Sequence, residues 1–241
     1  MDCKNCNNPV NDRFCGNCGQ PVQLKRVDGH YVLHEIQHIL HIEKGFPYTI
    51  KELLIRPGKI VREFITHNRS RLVKPILFMI VTSLIYTLIS KFFHVEGVGL
   101  NLPEVRHSAI GAIFHWIDGH YGYANIMMGV FIALFLKLFY RKRGYNLFEL
   151  LILLCFVMGM GMLISAVFAL TEGLTGLHLA TVSSFTGMIY CTWAIAQFFG
   201  KVSLISYLKS VLSYIAGANA FYLVAVLVGV AVDLISKALH A

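Results

Sequence analysis

The stretch LFELLILLCFVMGMGMLISAVFAL, Leu147–Leu170, decides the class of fold. Glu149 is its single charge, and the rest is long enough to cross a hydrocarbon core as a helix, which takes about 20 apolar residues. Four further runs have the same character: Pro75–Phe93, Tyr123–Tyr140, Ala180–Phe199 and Val211–Ile235. Helix is the expected form, because backbone groups in lipid must be satisfied within their own segment. Barrel strands would alternate polar and apolar residues, and these runs do not. The run 123–140 holds Asn125 and carries Lys137 near one end, where a long side chain can snorkel to the headgroups. The fold read from these runs is an all-α integral membrane protein. A five-helix transmembrane bundle occupies 75–241, with a loop at 94–122, preceded by a small zinc ribbon (1–22) and juxtamembrane amphipathic helices (28–74).

Composition agrees. Of 241 residues, 56% are hydrophobic and only 14% are charged, against roughly 25% charged in an ordinary soluble domain. A plain soluble enzyme is excluded on that ground. Orientation follows from the placement of the cations. All of the 21 Lys and Arg except Lys91, Arg106 and Lys237 fall on the side of the N-terminus when the chain threads the five runs in turn. This predicts a cytoplasmic N-terminus and an outside C-terminus, and it accounts for the net charge of +8 without nucleic acid. The first 25 residues lack the apolar core of a secretory signal, so the first run is expected to act as an uncleaved anchor.

Four of the six cysteines read Cys3-x2-Cys6-x8-Cys15-x2-Cys18. Two such knuckles surround one tetrahedral zinc with four thiolates, and Gly19 after the last eases the turn. In the reducing cytoplasm a metal is expected rather than disulfides. About 20 residues build no core unaided, so the ion would supply most of the module's folding energy. A closed shell of four thiolates leaves no position for substrate, which makes this single zinc structural. Lys4 and Arg13 are balanced by Asp2 and Asp12, which disfavours nucleic acid. Cys155 and Cys191, inside apolar runs, read as small apolar fillers.

Beyond the ribbon, HYVLHEIQHILHIEKG follows Asp28, a fitting N-cap, with Gly45 and Pro47 as a stop. At about 100° per residue, His30, His34, His38 and His41 fall within an arc of roughly 80°. Three readings compete: a second metal or catalytic site, a pH-sensing surface, and a merely polar helix face. Next, Pro57 suits the first turn of a short helix whose Ile60, Val61, Phe64 and Ile65 make an apolar side. Around it lie Lys51, Arg56, Lys59, Arg62, Arg69, Arg71 and Lys74, candidate contacts for anionic lipid at about 1 kcal/mol each, or ordinary positive-inside anchors.

From His30 to Pro75, the spaced histidines, the run YTIKELLIRPGKIVREFI (Tyr48–Ile65) and the Arg-rich stretch closing at Lys74-Pro75 resemble a short domain of unknown function. That domain occurs in bacterial membrane proteins that often begin with a zinc ribbon, and the resemblance implies no activity. In topology alone, the arrangement is similar to the Yip family, whose members are implicated in membrane organisation and trafficking.

Charges within spans mark ion pathways and proton relays. Here Glu149, Glu172 and Asp233 sit near span ends, which disfavours proton-coupled transport. Gly159, Gly161, Gly187 and Gly217 suit close helix packing. Pro103 and Glu104 are expected to open an interfacial helix carrying Ile110, Ile113, Phe114, Trp116 and Ile117, and His107, His115, Asp118 and His120 make a weak metal or pH candidate there. The histidines of 30–41 and those of 94–120 fall on opposite sides of the membrane, so they cannot converge as the His boxes of a di-iron enzyme do.

The functional expectation is therefore non-enzymatic. The chain would present its ribbon and basic helices to a cytoplasmic protein partner or to anionic lipid, as a monomer or a homo-oligomer. A transporter or lipid-handling protein with an apolar groove is the alternative, and a metalloenzyme using the histidine stripe comes third.

Overall fold

A computed structural model describes residues 45–67, 69, 71–95, 108–200 and 203–239, together with residues 2, 6, 8, 9 and 14–17. The chain divides into two compact units, Met1–Glu43 and Lys44–Ala241. In the first, Asp2 and Pro9 form an isolated antiparallel bridge. In the second, all the regular secondary structure among the described residues is helical.

Gly45–Ile55 (α1) and Pro57–Thr66 (α2) lead into Pro75–Phe92 (α3). Both α2 and α3 begin with proline at the first helical position, where the missing N–H would have had no partner in any case. Gly45 and Pro47, read above as a stop, instead open α1. Proline is as well tolerated in a first turn as after a helix end, so the same two residues fit either role. Ala109–Gly119 (α4) is capped by the Ser108 side chain, which accepts from the Gly111 N–H at 3.3 Å. Then come Tyr121–Phe139 (α5), Leu147–Thr175 (α6), Ala180–Phe198 (α7) and Leu204–Leu239 (α8). Asn146 and Glu149 close a capping box on α6, so the one charge in the deciding stretch satisfies orphan backbone donors. Gly176, at φ 71°, ends the same helix in the left-handed region, where only glycine lacks a Cβ penalty.

Four of these helices, α3, α5, α6 and α8, are long and apolar enough to span a membrane. The sequence reading expected five. The fifth segment does form a helix, α7, but Ser183, Ser184, Thr186, Thr192 and Gln197 leave it less apolar than the others. Helix α6 is the hub: 56% of its apolar window is buried against 17% for α3 and α8, and it packs on α3, α5, α7, α1 and α2. The spans present large apolar side chains outward instead. On α3, Ile76, Ile80, Leu84, Leu88 and Phe92 form an exposed stripe at four-residue spacing, while Phe78, Met79 and Thr82 face the bundle. Exposed apolar surface on that scale belongs in lipid.

Helix α8 begins seven residues earlier than the expected run. At about 1.5 Å per residue its 36 residues outreach a hydrocarbon core. The extension is held by Tyr140, whose hydroxyl donates to the Ser206 carbonyl at 2.7 Å and lies 3.0 Å from Ser210 Oγ. Helices α5 and α8 cross closely at Gly217, where a Cβ would lie 2.5 Å from Ile132 Cα. Packing on Gly159 also follows the expectation, since Phe78 and Thr82 crowd it, whereas Gly187 has nothing within 4 Å. Helix α4 leans on α8, with the Ala109 N–H donating to Asp233 at 2.9 Å and Phe114 stacked on Tyr222. We call the end of the bundle bearing α1 and α2 the collar end, and the end bearing α4 the loop end.

Candidate functional site

The collar is a lock between α2 and the C-terminus of α7. Gly58, buried in the first turn of α2, sits so close to α7 that a Cβ there would lie 2.1 Å from the Phe198 backbone nitrogen. Its own N–H donates to Gln197 Oε1 at 2.8 Å. One turn on, Arg62 donates through Nε to the Phe198 carbonyl at 3.0 Å and through Nη2 to the carbonyls of Gln197 and Phe198. The guanidinium thus caps the last carbonyls of α7 at the negative end of its dipole, and the Gln197 carbonyl also accepts from the Phe199 and Gly200 N–H groups. Tyr190 completes the lock by donating to the Leu53 carbonyl of α1 at 2.8 Å, out of solvent. Thr49 Oγ1 accepts from the Val73 N–H at 3.1 Å and ties α1 to the turn before α3.

Of the seven basic residues expected at the lipid surface, Arg62 therefore faces protein carbonyls. Arg56 is ion-paired with Glu52 at 2.5 Å, and Lys59 lies 4.0 Å from Glu63. Lys51, Lys59, Arg69, Arg71 and Lys74 are exposed. The apolar side of α2, Ile60, Val61, Phe64 and Ile65, is buried. It packs into the bundle core and offers no free face to a partner.

Arg69 has a distinct position. It stands at the collar end of an apolar groove of about 510 Å³ between α3, α5 and α6. Pro75, Ile76 and Phe148 form the neighbouring walls, and the groove runs along Gly129, Val130 and Leu154 to Asn125 and Met158. Its described lining is apolar apart from Arg69 and Asn125, and Asn125 Nδ2 donates to the Tyr121 carbonyl of its own helix at 2.8 Å.

Asn125 and Met158 also border a second cavity, of about 260 Å³, in the loop-end half of the bundle. Its lining is mixed, with tyrosines 86, 121, 214 and 222 and the carboxylates Asp118 and Glu172. Glu172 Oε2 accepts from the Leu179 N–H at 3.1 Å, and Oε1 is 3.6 Å from His178 Nδ1. Asp118 Oδ1 accepts from the Tyr121 hydroxyl at 3.4 Å. Burial raises the Asp118 carboxyl pKa, opposed in part by the Tyr121 hydrogen bond and the charge of His115.

The other expected sites are only partly in view. In the first unit, Cys6 and Cys15 place their sulfurs 3.5 Å apart, with Cys15 buried. That is far beyond the roughly 2.05 Å of a disulfide and near the ~3.8 Å between two thiolates on one tetrahedral zinc at about 2.3 Å each. Cys3, Cys18 and the histidines at 30, 34, 38 and 41 lie outside the described residues, as do Pro103, Glu104 and His107. Among the described residues no three His, Cys, Asp or Glu come together as a metal site. His115 and His120 do not join one, and the His120 ring stacks on Trp116.

Residues 43–87 match the model of a family described as "Protein of unknown function (DUF3667)". The match covers α1, α2 and most of α3, and hence Gly58, Arg62 and Arg69. No curated protein and no solved structure matches the chain.

Proposed function

We propose that this membrane protein binds an anionic phospholipid, with one acyl chain in the groove between α3, α5 and α6 and the phosphate at Arg69. The observation that carries the reading is an apolar groove with one cationic residue among its described lining, Arg69, whose Nη2 donates to the Ile65 carbonyl at 3.4 Å. The volume falls within the roughly 300–1,000 Å³ of sites that enclose a small molecule. An acyl chain gains no hydrophobic free energy on leaving other acyl chains, because lipid tails are as apolar as the groove. Preference must then come from fit and from charge, and Arg69, with Arg71 and Lys74 nearby in sequence, supplies the charge at about 1 kcal/mol per cation.

The topology proposed with it has five spans, the collar in the cytoplasm and the C-terminus outside a bacterial inner membrane. The support for α7 as the fifth is its exposed stripe Val182, Phe185 and Ile189, while Ser183 and Thr192 turn inward. A packed helix can carry polar residues that a lone one cannot. A structural zinc on Cys3, Cys6, Cys15 and Cys18 is proposed for the first unit, and docking of a cytoplasmic protein is assigned to that unit; the apolar side of α2 is buried, while α1 leaves Leu54 and Ile55 exposed. No step of chemistry is proposed.

The test is lipid analysis of the full chain purified in a maltoside detergent. Wild type is expected to retain phospholipid enriched in anionic headgroups relative to the source membrane. Arg69→Gln should retain lipid without that enrichment, a shift of about fivefold for one cation. Gly129→Phe, which fills the groove beside Met158, should retain little lipid of any kind. Equal amounts and equal composition in all three proteins would overturn the proposal.

A further inference from the structure

The loop-end cavity bounds about 260 Å³ with aromatic rings and two carboxylates, and among the described residues no lysine or arginine lines it. Tyr86 and Tyr121 meet edge to face with centroids 5.0 Å apart, forming one wall. Tyr214, Tyr222 and Phe168 contribute further rings. The Glu172 side chain is only 13% exposed, and its ion-pair partner among the described residues, His178, is almost fully in solvent. Aromatic faces carry negative potential, and several rings around a cavity with carboxylates at its rim are the recurrent means of holding an ammonium group. The low dielectric of the bundle strengthens such an attraction over its value in water.

We infer that this cavity binds an alkylammonium ion, held by the rings of Tyr86 and Tyr121 and neutralised by Glu172 and Asp118. The opposite charge logic holds at the two ends of the bundle: a cation closes the collar-end groove, and anions close the loop-end cavity. An inorganic cation fits less well. It would require a shell of converging oxygens, whereas Met158, Gly161, Met162 and Cys191 in the lining supply no side-chain oxygen and the hydroxyls of Ser165, Ser183 and Ser184 are neutral. The ammonium could belong to a free amine or to the choline or ethanolamine headgroup of a zwitterionic phospholipid. The second source is relevant because Asn125 and Met158 border both the cavity and the groove. The inference does not depend on the groove's being occupied.

The test uses the full chain in nanodiscs of dioleoyl phosphatidylglycerol, titrated calorimetrically with choline, with ethanolamine and with 3,3-dimethylbutanol, the neutral analogue of choline. Choline or ethanolamine should bind, with the neutral analogue at least tenfold weaker. Tyr86→Leu and Asp118→Asn should each weaken binding several-fold. Glu172→Gln should weaken it most, and the first two variants keep the test sound if loss of the Leu179 contact impairs folding. A parallel set in dioleoyl phosphatidylcholine discs separates the sources. Choline binding that persists there identifies a free amine, and binding seen only in phosphatidylglycerol identifies the headgroup. Absence of binding in the phosphatidylglycerol discs, or equal binding of the neutral analogue, would overturn the inference. The lipid retained by Gly129→Phe is an independent readout, so failure here and failure of the groove reading are distinguishable.

Discussion

Replacing Gly58 by alanine should cost this protein on the order of 3–5 kcal/mol, the upper end of overpacking effects, and more than any other single methyl group added to the collar. The added carbon would lie 2.1 Å from the Phe198 nitrogen, 2.4 Å from the Gln197 carbonyl carbon and 2.7 Å from the Phe198 Cα. All three are backbone atoms in the last turn of α7, so no side-chain rotation relieves the clash. Separating α2 from α7 would also break the hydrogen bond from Gly58 to Gln197 and pull Arg62 off the carbonyls it caps. Thermal unfolding in detergent should show the midpoint of Gly58→Ala well below wild type. Gly187→Ala is the control. It adds the same methyl group inside a helix with nothing within 4 Å, and alanine there should be neutral or stabilising by helix propensity. Arg62→Met should fall between, by about 1–3 kcal/mol, the cost of leaving carbonyls without a charged partner, and Arg62→Lys should restore only part, because a point charge lacks the planar fork. A Gly58→Ala midpoint equal to that of Gly187→Ala would mean that α2 and α7 do not meet as described.

That contact separates what the amino-acid sequence reveals here from what it hides. The apolar runs are legible because burying or greasing a helix leaves a trace in every residue along it. Pro57 and Pro75 mark their helix starts because proline has few other positions. The role of Arg62 is not legible from charge, since it sits among six other basic residues of 51–74 and its composition is theirs. A signal was present nevertheless: glycine immediately after proline in a first helical turn forfeits propensity, and inside a helix that sacrifice commonly marks a close approach. Arg62 lies one turn beyond on the same face. Gln197 and Tyr190 look like residual polarity in an apolar helix until a backbone from elsewhere in the chain reaches them. The early start of α8 was hidden for a related reason: Ser206 and Ser210 dilute the hydropathy of its first turns although both are buried on the packed side. The groove and the cavity are spaces between helices, and no local pattern encodes a space. Their rims, however, were in view as single residues, Arg69 in the basic collar and Glu172 near a span end.

Chelating the proposed zinc should have the largest effect of all on the first unit and almost none on the second. Structural zinc in small thiolate modules contributes roughly 10–16 kcal/mol of apparent binding free energy at neutral pH. About 20 residues, whose described part holds one isolated bridge and one close sulfur pair, have no core to fall back on. The second unit has its own buried cluster running from Leu53 to Phe199, so its helices do not need the metal. Full-length protein should therefore carry one zinc per chain, with four thiols protected from an aromatic disulfide reagent. Excess chelator should release the ion and expose those four thiols, while helical circular dichroism and the unfolding midpoint of the bundle stay unchanged. Cys15→Ser should reproduce the chelated state, because three thiolates and a hydroxyl make a far weaker shell than four thiolates. Purified protein with no zinc, or with Cys6 and Cys15 already reactive before chelation, would remove the metal from the proposal and leave the 3.5 Å approach of their sulfurs as a packing contact between two thiols.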